Sequence, residues 1–177
     1  MKLIGIAAYS GVPPPRLADE ACKFIECLAS KCKDIALVLG GYWGLMKVVV
    51  DRAIELSIPT ILLPPIDRED IEYPHKAIVL RLGVDYRVRS VFIARAADVL
   101  VALGGESGTM QEIVTAYCES KPVIVLRSGL STDKLELLSP YLDTRRLSRI
   151  RFVSTGEELC QEVIAELKCF AQDDTSR

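Results

Sequence analysis

Histidine is almost missing from this chain: His75 is the single one in 177 residues. With no second histidine and no Cys-x-x-Cys pair, the ligand spacing of a zinc-type site is lacking, and no metal is expected. Long apolar runs are missing too. None reaches the roughly 18 residues of a membrane span, so no membrane partner is expected. Met1–Ser10 has one lysine and a short apolar stretch, but Leu3–Ala8 falls short of the roughly 7–15 residues of a secretory core. It reads as a strand, and a cytoplasmic location is expected. A basic tract is also lacking, and the formal net charge is −2. Arg87, Arg89 and Arg95, and later Arg145, Arg146, Arg149 and Arg151, are local groupings, the second read as a solvated face. Neither predicts a nucleic-acid partner.

Cysteine, by contrast, is present six times. Cys22, Cys27 and Cys32 are spaced by five, and at about 100° per residue they fan around a helix rather than share a face. The expectation is reduced thiols serving as small apolar residues, with a disulfide reserved for a hyperthermophilic source.

What the chain has in quantity is apolar surface. Half of its residues are hydrophobic and the mean hydropathy is +0.25, enough for one sizeable core. Short apolar runs without alternation predict strands at Lys2–Ala8, Ile35–Leu39, Thr60–Leu63, Val99–Ala102, Val123–Leu126 and Arg151–Val153. Ala77–Leu82 is expected as an edge strand. Helices are expected from about Arg16, over Leu45–Leu56, Tyr86–Ala96 and Thr109–Ser120, and after a capping box of Thr155 and Glu158. Asp67–Glu72 reads as an acidic loop, and the stretch from Arg127 to Arg149 as irregular with a short helix near Lys134–Leu138. The repeated strand-loop-helix order predicts an α/β fold. It is a Rossmann-like, doubly wound, mostly parallel sheet with helices on both faces, one domain over 1–172, and a frayed tail at 173–177.

Two glycine-rich loops carry the chemistry. Gly40-Gly41-Tyr42-Trp43-Gly44-Leu45-Met46 and Gly104-Gly105-Glu106-Ser107-Gly108-Thr109-Met110-Gln111-Glu112 each run from an apolar strand into a helix. Backbone N–H groups in such a turn close around an anion, and the helix dipole adds about half a positive charge. Neither loop continues into Gly-Lys-[Ser/Thr], so a Walker site is excluded, and neither is a dinucleotide Gly-x-Gly-x-x-Gly. Tyr42 and Trp43 either stack on a ligand ring or pack against a neighbouring helix or subunit.

Gly104–Glu112 resembles the Pro-Gly-Gly-x-Gly-Thr-x-x-Glu signature of the LOG (Lonely Guy) family, the phosphoribohydrolases also called possible lysine decarboxylases. The Gly40–Met46 loop resembles that family's Gly-Gly-x-x-Gly-Leu-Met element, Arg89 stands at the place of its motif arginine, and Lys121-Pro122-Val123 is similar to its Lys-Pro-Val. The resemblance runs from the first strand to about residue 126. Within that family the chain looks like the branch of short prokaryotic proteins related to molybdenum-cofactor carriers.

The resemblance implies cleavage of the N-glycosidic bond of a nucleoside 5′-monophosphate, without cofactor, to free base and ribose 5-phosphate. It places Gly105, Gly108 and Thr109 on the phosphate and Gly41 and Gly44 at the site, with Glu112 as the active-site acid and Arg89 as its partner. Gly104 and Ser10 join the expected phosphate set. A homodimer through the apolar helices flanking the second loop is also implied. The alternative is a nucleotide or molybdopterin-type cofactor carrier or sensor that keeps the site without turnover. Lysine decarboxylation finds no pyridoxal-phosphate pattern here. Three departures stand out: Gly104 replaces the signature proline, Glu106 its second glycine, and Ser90 the lysine after the arginine. Glu106 is expected to point outward, since an inward carboxylate opposes the anion preference of a helix N-terminus.

Overall fold

Strands with no polar alternation need cover on both faces, and the chain supplies it. The computed structural model describes residues 1–168; the tail expected at 173–177 lies outside the described residues. Seven strands form one all-parallel sheet: β1 (Lys2–Ala8), β2 (Ile35–Leu39), β3 (Thr60–Leu62), β4 (Ile78–Val79), β5 (Val99–Leu103), β6 (Val123–Leu126) and β7 (Ile150–Val153). Their order is β4-β3-β2-β1-β5-β6-β7. Most boundaries lie within a residue or two of the sequence expectation. The expected edge strand Ala77–Leu82 shrinks to two residues. A short edge leaves few unpaired backbone groups open to another chain.

Helices α1 (Pro15–Lys31), α2 (Gly44–Glu55) and α5 (Gly156–Leu167) cover one face; α3 (Tyr86–Ala96) and α4 (Ser107–Cys118) cover the other. Pro15 opens α1, where its missing N–H costs nothing. Leu17, Ala21, Phe24, Ile25 and Leu28 then recur at helical spacing and are all buried. Ser131–Leu138 in the irregular stretch is a 3₁₀ helix rather than an α-helix. The capping box at α5 is half realised. Thr155 accepts from the Glu158 N–H at 3.1 Å, while the Glu158 carboxylate reaches one residue further back, to the N–H of Ser154 at 2.8 Å.

α1 and α5 lie side by side at close range. Gly156 donates its N–H to Glu20 at 2.7 Å, and a Cβ on Gly156 would stand 2.1 Å from the Glu20 carbonyl oxygen. The same apposition brings Cys27 and Cys160 into a disulfide, with Cα atoms 6.1 Å apart across 133 residues of sequence. This overturns the expectation of reduced thiols at these two positions. Spacing within one helix cannot reveal a partner on another helix at the far end of the chain. The bond closes a long loop in the unfolded chain, worth about 2–4 kcal/mol. Dithiothreitol should therefore lower the unfolding free energy read from urea titration by about that much, and the urea midpoint with it. A Cys27→Ser/Cys160→Ser double variant should start at the lower midpoint and not respond to the reductant.

Candidate functional site

The order of the sheet reverses between β1 and β5, so the crossovers leave to opposite sides and open a crevice at the C-terminal strand ends. A cavity of about 660 Å³ lies there, within the range of small-molecule sites. Its wall takes Ser10 from the loop after β1, Trp43 from the loop after β2, Arg89 and Ser90 from α3, and Gly108, Thr109 and Glu112 from α4. Three helix N-termini meet nearby, with different fates. The α2 terminus is closed by the chain itself, as Leu45 donates its N–H to the Tyr9 carbonyl at 2.9 Å. At α3, the Asp85 carboxylate accepts from the N–H groups of Arg87 and Val88 at 2.8 and 2.9 Å. At α4, the cap position is Glu106, whose exposed side chain makes no capping bond. The first N–H groups of a helix have no intrahelical acceptor. Those of α4 therefore stay available at the cavity.

α4 starts at Ser107, two residues before the expected Thr109. Gly108 and Thr109 are thus first-turn helix residues rather than loop residues. A Cβ on Gly108 would meet nothing within 4 Å, so its Cα faces open space. Gly41, Gly44, Gly104 and Gly105 are not in the cavity wall; Gly41, Gly44 and Gly105 lie against residues that are, while Gly104 packs on Ser128 and Leu17. Gly44 has φ +55°, and a Cβ there would stand 2.5 Å from the Ser10 backbone, so only glycine lets the two loops meet. Gly105 lies beneath the Thr109 side chain, whose Oγ1 is 2.1 Å from where a Cβ would be. Tyr42 turns away from the cavity and donates to Asp51 at 2.5 Å, with Lys47 over its ring.

Gly40, which sequence reasoning assigned no role, proves central. A Cβ on it would fall 1.4 Å from Nη1 of Arg89. The Nη1 end of the guanidinium therefore occupies the space that a side chain at position 40 would fill. Arg89 is 8% exposed, and its buried Nε and Nη1 have no hydrogen-bond partner. Burial lowers its pKa and the negative charge of Glu112 acts the other way. Glu112 is 7% exposed. Ser90 donates to its Oε1 at 2.9 Å while also contacting the Tyr86 carbonyl at 3.0 Å. Burial pushes the Glu112 carboxyl above the usual carboxylate value, with Arg89 and Ser90 opposing. Among the described residues, no group of three or more His, Cys, Asp or Glu could hold a metal ion. No described helix is long and apolar enough to cross a membrane.

A parallel sheet with a cavity at its switch point, a buried arginine with two unpaired nitrogens and an uncapped helix N-terminus together define a Rossmann-like α/β domain. Residues 2–155 match the SLOG cluster4 family, and the chain belongs to it. The X-ray structure of TM1055, a structural genomics target, is 33% identical, with a TM-score of 0.83 over 93% of this chain and 99% of that one. The molybdenum cofactor binding protein from the phototrophic bacterium Rippkaea orientalis shares the fold at 22% identity and a TM-score of 0.76, over 94% of this chain and 97% of that one. So does the molybdenum cofactor carrier protein from Chlamydomonas reinhardtii, at 21% identity and a TM-score of 0.72, over 94% and 98%. No curated protein gives a significant match.

The buried Glu112 makes stability depend on pH in a stated sense. A carboxyl whose pKa is raised on folding binds more protons folded than unfolded, so it costs stability as pH rises above 4.5. Gln can keep the Ser90 contact without the charge. Glu112→Gln should therefore be more stable than the native protein in thermal melts near pH 8, with the gap closing towards pH 4.5. A gap that stays constant with pH would show that Glu112 titrates like a surface acid.

Proposed function

We propose that the chain binds a phosphate-bearing small molecule with a planar ring in this cavity, as a carrier or sensor of a nucleotide or molybdopterin-type cofactor. The observation that carries it is Arg89, a buried guanidinium with unanswered N–H groups, beside the uncapped N-terminus of α4. Buried donors without acceptors cost about 1–3 kcal/mol, and an anion arriving at both groups removes that cost. The phosphate of such a molecule fits this donor set: Gly108 and Thr109 would hold it through their N–H groups, with Arg89 and the Ser10 hydroxyl as further donors. The fold shared with molybdenum cofactor binding and carrier proteins supports the carrier reading. Glu106 is exposed and makes no capping bond, yet it lines the cavity beside Ser107 and Gly108, which runs against the outward side chain expected from the sequence.

The second reading, favoured by Glu112 in the cavity wall, is the phosphoribohydrolase that the LOG resemblance implies. Positive charge builds on the ribose as its glycosidic bond breaks, and a buried carboxylate can stabilise it or activate water. The exposed Val88 and Phe92 on α3 and Val114 on α4 would form the face of a homodimer.

Because Gly108 faces open space, Gly108→Val should fold normally and fill the phosphate position. A nucleoside monophosphate or pterin phosphate at 100 times its Kd should add roughly 2.7 kcal/mol to the native protein and nothing to the variant. Equal thermal stabilisation of both would remove the shared site. Assay of the same mixtures for ribose 5-phosphate separates the two readings. A carrier releases none. A hydrolase releases it and loses turnover by orders of magnitude in Glu112→Gln while keeping affinity, since the charge it stabilises exists mainly in the transition state.

A further inference from the structure

The acidic loop between β3 and α3 had no role in the sequence reading, yet it delivers a cation to the cavity. Its backbone is pinned in several places. Ile66 donates its N–H to the Val84 carbonyl at 2.8 Å, and the Tyr73 hydroxyl donates to the Arg68 carbonyl at 2.7 Å. Two of its acids are engaged internally: Glu69 accepts the N–H of Gly83 at 2.7 Å, and Asp67 accepts the Tyr86 hydroxyl at 3.2 Å. Arg68 is different. Its guanidinium stands 5.6 Å from the centre of the Trp43 ring, and both residues line the cavity. Arg68 is exposed, and among the described residues no side-chain hydrogen bond or ion pair of Arg68 occurs.

Gly41 leaves the room that Trp43 takes. The six-membered edge of its indole lies on Gly41, with Cη2 and Cζ3 each 2.2 Å from where a Cβ would be. The second glycine of the first loop thus seats an aromatic platform, as the first seats Arg89.

We propose that Trp43 and Arg68 form the ring-recognising end of the cavity and select a phosphate-bearing ligand whose ring edge presents hydrogen-bond acceptors, an oxo-substituted purine or pterin, over one presenting an amino group. The inference rests on the phosphate-binding reading above and adds the class of ring. An indole face supplies stacking to any flat heterocycle, so selection falls to the arginine. Arginine has donors only and keeps its charge. An oxo-purine offers it two adjacent acceptors, the ring nitrogen and the carbonyl, whereas an amino-purine replaces the carbonyl with a donor. Donor facing donor is a penalty on the wrong ligand as well as a missing bond.

Trp43 is the sole tryptophan of the chain, so its fluorescence reports this end of the cavity alone. Calorimetric titration of the full chain with GMP, AMP and ribose 5-phosphate, followed in parallel by that fluorescence, tests the assignment. GMP should bind roughly tenfold or more tightly than AMP and change the Trp43 emission, while ribose 5-phosphate should bind without changing it. In Arg68→Ala, checked for folding by its urea midpoint, GMP affinity should fall to that of AMP. Equal GMP and AMP affinities, binding of GMP with silent Trp43 emission, or a preference that survives Arg68→Ala each overturn the ring assignment while leaving phosphate binding intact. Failure of all three ligands, ribose 5-phosphate included, sinks the phosphate reading and the ring assignment with it.

Discussion

The guanidinium of Arg89 lies where a side chain at position 40 would be, and much of the site follows from that close approach. The loop leaving β2 must carry glycine there. α3 must deliver the arginine from its first turn, and the Asp85 cap fixes where that turn starts. The negative charge of Glu112 on α4 offsets part of the burial of Arg89 without supplying acceptors to Nε and Nη1. Unanswered buried donors are uncommon in folded proteins and concentrate where a structure is held ready for something else. The surrounding layers are well placed to bear the cost, since two large apolar clusters, one on each side of the sheet, fill most of the space between strands and helices.

Which helix N-terminus stays open is decided by hydrogen-bond accounting rather than by the glycines. Both loops offered the same promise, a glycine turn at a helix N-terminus. In the structure, the Tyr9 carbonyl takes the Leu45 N–H of α2 and the Asp85 carboxylate takes the Arg87 and Val88 N–H groups of α3, while α4 has no capping side chain. The glycines then sort by what rests on them: Gly40 under Arg89, Gly41 under Trp43, Gly44 against Ser10, Gly105 under Thr109. They form a floor, and the cavity-lining groups stand on it. Gly108 alone among the expected glycines faces open cavity.

The same arrangement bears on carrier versus hydrolase. While Arg89 and Ser90 oppose it, burial raises the pKa of the Glu112 carboxyl above its usual value. An anion bound at Arg89 would push it further that way. A carrier needs only this tolerance of a charged guest. A hydrolase needs the ionised form at the moment the sugar becomes positive.

The sequence by itself determined the elements and the layering. Non-alternating runs such as Ile35–Leu39 and Val99–Ala102 are legible as doubly covered strands, and the spacing of Leu17, Ala21, Phe24 and Leu28 as a helix face, because burial periodicity is written locally in the chain. It also singled out Arg89 and Glu112, though only through their likeness to a family. Tertiary structure alone decided the rest. Cys27 and Cys160 are 133 residues apart, Arg68 reaches Trp43 from a loop that reads as acidic, and Gly40 matters because of a side chain 49 positions away. Each depends on the sheet placing distant segments at van der Waals range. The order of parallel strands is set by the summed packing of both faces, which no local window of sequence contains.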